Sequence, residues 1–99
     1  MRRTLEQQVL EHTNTERLRL VHSAQALILR VQADHHIPLG YRDVLMNVLR
    51  ALILTMEGSQ DVGHWRASTD CWNSLAQQVN GRFPLDVPLQ RIEPPHPEV

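Results

Sequence analysis

Lysine is absent from this chain of 99 residues, cysteine occurs once, glycine four times, and Phe, Tyr and Trp together make up 4% of it. The single Cys71 excludes an internal disulfide and fits a reducing, cytoplasmic setting. With four glycines there is no phosphate-cradling loop, and neither G-x-S-x-G nor H-E-x-x-H occurs. Arg2 and Arg3 are followed by mixed polar sequence, without the apolar run of about 7–15 residues that marks a signal peptide. The ten basic residues are all arginine, spread from Arg2 to Arg91 and interleaved with acids to a net charge of -1. A nucleic-acid binder gathers its basic residues on one face, so no nucleic-acid partner is expected.

What is present is apolar. Residues of that kind make up 41% of the chain and charged residues 21%, a balance that favours collapse around one core. The expectation is a single helical domain over residues 1–82 and an extended tail over 83–99, the latter carrying Pro84, Pro88, Pro94, Pro95 and Pro97. No strand signal or internal repeat is visible, so the fold class is all-α.

Three helices account for the domain. Thr4 with Gln7 and Thr13 with Glu16 both have capping-box spacing. One long helix over 5–33, straight or bent, is favoured over a break near 12–15. Leu20, Ala24, Leu27, Ile28 and Val31 form its apolar stripe. Pro38 and Gly40 mark a connection, and a second helix runs over about 41–57 with Gly58 as its closing residue. Between Val44 and Met56 only Asn47, Arg50 and Thr55 are polar. That run is shorter than the roughly 20 residues of a membrane span, so a central buried helix is expected and no membrane contact. The third helix, capped by Ser59 or Asp61, extends to about residue 80, with Gly81 past its end and Pro84 as a stop. Val62, Trp65, Thr69, Trp72, Ala76 and Val79 give it a seam at spacings of three and four. In the tail Phe83, Leu85, Val87, Leu89 and Ile92 are expected to pack across a neighbour, with the last seven residues loose.

A helix apolar nearly all round exceeds what two neighbours cover. The expected unit is therefore a homodimeric bundle of six helices, paired through Val44, Leu45, Val48, Leu49, Leu52 and Met56. The competing arrangement encloses the second helix wholly between the first, the third and the tail.

Chemistry is sparse. Zinc sites use close ligand pairs, whereas His12 and His22 are ten apart, about 80° off one helical face, and His35 and His36 are adjacent in a loop beside Asp34. A plain reading as surface or helix-end histidines is preferred, and neither a metal nor a cofactor is expected. Cys71, next to Trp72 in mid-helix, lacks the helix N-terminus that would stabilise a thiolate. A packed or half-buried cysteine is the simpler reading, and no enzymatic activity is expected. A helix-turn-helix is disfavoured because the third helix offers only His64 and Arg66 as bases against Asp61 and Asp70.

The long first helix ending in ILRVQADHH, the apolar VLMNVLRALIL helix and the HWRASTDCW helix together resemble the QslA-like antiactivators of bacterial quorum sensing. That resemblance implies a small helical dimer that binds a LuxR-type transcription activator and blocks its dimerisation. It carries over no contact residue. From the residues themselves, the candidate partner-binding positions are Leu5, Val9 and His12 on the first turns and Trp65 with Arg66 on the third helix, since Trp and Arg are enriched among interface hot spots. The alternatives are an inhibitor or adaptor of another enzyme or secretion component, and a metal- or ligand-binding bundle that would gather some of His12, His22, His35, His36 and His64.

Overall fold

In the computed structural model, which describes residues 4–96, Thr4 opens the first helix with the capping box that its spacing to Gln7 predicts. The Gln7 backbone N–H donates to Thr4 Oγ1 at 3.2 Å, and the Thr4 N–H donates to Gln7 Oε1 at 3.0 Å. Helix α1 then runs unbroken over Leu5–Ala33. The second box is not used: the Thr13 hydroxyl turns back to the Val9 carbonyl at 2.9 Å, and Glu16 is committed elsewhere. Asp34 ends the helix and its carboxylate accepts the His36 N–H at 2.9 Å, which folds the chain over the buried Ile37.

Helix α2 spans Leu39–Gly58 and α3 spans Val62–Arg82, the latter capped by Asp61 accepting from the Gly63 N–H at 2.8 Å. Both are longer than the sequence predicts. Gly40 lies inside the first turn of α2, and Gly58 and Gly81 are the last and next-to-last residues of their helices. No described residue has a positive φ, so none of these glycines works as a left-handed cap. Ser59 and Phe83 end the helices in extended conformation instead.

Helix α2 packs against both α1 and α3, whose backbones do not approach each other. On one side α2 separates them. On the other, residues 83–96 run back along the bundle without regular secondary structure and close the gap. Their buried Leu89 and Ile92 join the single core formed by Leu20, Ala24, Leu27 and Val31 of α1, Leu45, Leu49, Leu52 and Met56 of α2, and Trp65, Trp72, Ala76 and Val79 of α3. The fold is all-α, an up-down-up set of helices with an extended strap in the place of a fourth.

This arrangement corrects two expectations. The tail packs on its own chain rather than across a neighbour, because α1 and α3 leave between them a groove in which Leu89 and Ile92 are buried. Nor is its end loose as far as it is described: Pro95 is buried and His96 is tied to Glu16, while residues 97–99 lie outside the described part. Of the six residues expected to pair two copies, Leu45, Leu49, Leu52 and Met56 are fully enclosed within one chain. They are core rather than interface because α1 and α3 cover both flanks of α2. Val44 stays exposed and Val48 half-buried. The outward face of α2 is mixed, with Asp43, Asn47 and Arg50 exposed among Val44, Ala51 and Leu54.

Candidate protein-binding site

Helix α1 has 29 residues and α2 has 20. At 1.5 Å per residue that is about 43 Å against about 30 Å, so α1 overruns the body by roughly two turns. The overrun is at its start. The Arg17 Nε donates to the Met56 carbonyl at 2.8 Å, which places the end of α2 level with Arg17 and leaves the preceding turns beyond it. The guanidinium of Arg17 also stacks 5.3 Å from the centroid of Trp65, joining all three helices at this level.

The core stripe of α1 continues into the overrun although the core does not. Val9 remains half-buried, whereas Leu5 is 69% and Leu10 52% exposed. With Glu6, Thr13 and Gln60 these three residues line a shallow open groove of about 450 Å³. Glu6 makes its rim acidic. His12, half-buried, lies further along α1, with its Nε2 3.4 Å from the His96 carbonyl. Of the three candidate residues of the first turns, Leu5 and Val9 are thus brought together at the surface with Leu10, and His12 does not line the groove.

Below the groove lies a buried acid at which tail and helix meet. Glu16, 5% exposed, accepts from Arg19 Nε at 2.8 Å and from the His96 backbone N–H at 2.5 Å, and lies 2.9 Å from His96 Nδ1. Burial alone pushes this carboxyl up, but Arg19 and the His96 N–H outweigh it and hold the group below its ordinary value. This is a structural anchor whose oxygens are all engaged.

The other candidate pair divides. Trp65 is completely buried and its Nε1–H donates to the Ser59 carbonyl at 3.0 Å, so it is core and offers nothing to a partner. Its place on the heptad seam decides this, because the seam faces α2. Arg66 is exposed and reaches the Pro95 carbonyl at 3.4 Å. Cys71 is exposed rather than packed or half-buried, since it lies one residue off the seam.

His12, His22, His35, His36 and His64 do not converge, and His12 instead approaches the His96 carbonyl. From His12 to the end of α1 is about 31 Å at helical rise, and His35 and His36 lie past that end. His36 instead stands 3.7 Å from Asp86, and His64 3.7 Å from Asp61. Among the described residues no group of three His, Cys, Asp or Glu is placed to hold a metal ion. No described helix is long and apolar enough to cross a membrane. Comparisons with family models, with curated proteins and with solved structures find no significant match to this chain.

Sequence reasoning missed Asn73 and Asn80, which grip the tail. The triplet spacing of Leu89, Ile92 and Pro95 marks an extended segment with one buried edge, but no side-chain pattern singles out the two asparagines that hold its backbone.

Proposed function

We propose that this protein is a small non-catalytic regulator that binds and inhibits another protein through the projecting start of α1. The observation that carries the reading is the continuation of the apolar stripe through Leu5, Val9 and Leu10 beyond the end of the core, with two of the three more than half exposed. Covering a leucine contributes about 1.5–3 kcal/mol, so two exposed leucines beside a half-buried valine can anchor an interface. The fitting partner presents an apolar helix face with a basic residue opposite Glu6.

On the resemblance to the quorum-sensing antiactivators, that partner is a LuxR-type transcription activator whose own dimer interface the protein would occupy. A homodimer remains part of the proposal only through the residues of α2 still at the surface, Val44, Val48 and Leu54, since the other four are enclosed.

The experiment is capture of partners from a lysate of the source organism with the wild-type chain and with a Leu5→Asp/Leu10→Asp variant in parallel. A transcription activator held by the first and lost by the second, with equal helical circular dichroism, supports the reading. A protein captured equally by both places the binding surface elsewhere, and no capture by either removes the binding role.

A further inference from the structure

The contacts that hold the strap have a form unusual for a closing segment. Asn73 takes the backbone of Ile92 at both polar positions, donating to its carbonyl at 2.8 Å and accepting from its N–H at 2.7 Å. Asn80, seven residues on, does the same to Leu89 at 2.9 and 2.7 Å. Seven residues before Asn73, Arg66 reaches the Pro95 carbonyl. Seven helical residues rise about 10.5 Å and three residues of extended chain span up to about 10 Å, so the two ladders stay nearly in step. Trp72 Nε1 adds a bond to the Gln90 carbonyl at 3.0 Å. From α1, Arg19 reaches the carbonyls of Glu93 and Pro94, both at 3.1 Å, and Arg30 reaches that of Val87.

Each of these bonds goes to backbone, which every extended peptide carries. Side-chain selection falls to the buried positions Leu89, Ile92 and Pro95, with the His96 ring beside Glu16 at the far end. The groove is also wider than its occupant. Open clefts of about 490 Å³ toward His22, Ala26 and Arg30, and about 640 Å³ toward Asp70, Ser74 and Gln77, flank the strap on its two sides.

We infer that the groove between α1 and α3 is a receptor for an extended polypeptide segment of a partner protein, with apolar residues at every third position and a proline at the third, and that the strap is its tethered, displaceable ligand. The inference does not rest on the groove at the start of α1, although that helix meets the strap at His96. A second copy's tail has the same sequence but lacks the tether, whose effective concentration is in the millimolar range, so it competes poorly. A partner segment with a larger side chain in one of the flanking clefts has contacts the strap does not make.

The test uses the full chain and a fluorescent peptide of residues 87–96. Leu89→Ala/Ile92→Ala protein, its own strap loosened, should bind the peptide at least tenfold more tightly than wild type. Adding Asn73→Ala/Asn80→Ala should abolish binding, as should one alanine inserted between the Gln90 and Arg91 positions of the peptide. A peptide carrying Gln90→Phe should bind more tightly than the native one. Leu5→Asp/Leu10→Asp should change none of this. No peptide binding by a loosened variant of native helicity overturns the proposal. So does a wild-type chain that exchanges tails between copies and dimerises in proportion to its concentration. If the loosened variant does not fold, hydrogen exchange at the Leu89 and Ile92 amides of wild type replaces it. Excess Gln90→Phe peptide should accelerate that exchange, and unchanged exchange overturns the proposal.

Discussion

Glu16 and His96, eighty residues apart in sequence, are joined twice, by the His96 backbone N–H and by its Nδ1 on the same carboxylate oxygen. The join ties the end of the strap to the first helix, below the proposed binding groove. It also makes the strap sensitive to acid.

Glu16 titrates below its ordinary value of 4.5 in the folded chain, because Arg19 and His96 outweigh the cost of its burial. A depressed carboxyl contributes stability that is fully present above the unfolded value and is lost as pH falls through the folded one. Asp34, held down chiefly by Arg30 from an ordinary value of 3.8, acts in the same direction. Urea unfolding should therefore show stability nearly level from pH 7 to 5 and falling below about pH 4.5. Glu16→Gln should cost about 1–3 kcal/mol at pH 7 and flatten the acid slope. An unchanged slope in that variant would show that the carboxylate is not the anchor.

Trp65 and Arg66 are neighbours in sequence and opposites in place. Trp65→Ala should cost about 3–5 kcal/mol, a large part of the stability of a domain this size. Arg66→Ala should stay within about 0.5 kcal/mol. Thermal denaturation of both variants checks this, and equal effects would contradict the enclosure of Trp65.

Leu49 distinguishes a core position from a dimer contact. Leu49→Ala should lower stability by about 2–5 kcal/mol with an unfolding midpoint that does not depend on protein concentration. Val44→Asp, at the surface, should cost a single chain less than about 0.5 kcal/mol and abolish self-association through the outer face of α2. A midpoint that rises with concentration in wild type and loses that dependence in Leu49→Ala would restore the interface reading.

The helices were legible because local chemistry and burial agree in them. Thr4 and Gln7 satisfy each other where α1 begins, and the seam from Trp65 to Val79 is buried at every third or fourth position. The strap was not legible, because its register is set by Asn73 and Asn80 bonding to backbone, and no side-chain pattern reports a backbone contact. The same gap misled the reading of α2. Counting its apolar faces against two helices leaves an excess, and the exposed stripe of Val44, Asn47, Arg50 and Leu54 shows that α1 and α3 cover more than that count allows. Of the candidate site, the first turns of α1 could be found because the stripe runs on through Leu5 and Val9. Trp65 could not be resolved, since a seam tryptophan and a hot-spot tryptophan look alike in sequence.

The most direct test of the account is the affinity of the captured partner for wild type and for Leu5→Asp/Leu10→Asp, measured by titration calorimetry. The projecting turns carry little of the core, so the variant should keep native stability within about 0.5 kcal/mol while its affinity falls a hundredfold or more. An equal affinity in a stable variant would contradict binding through the start of α1.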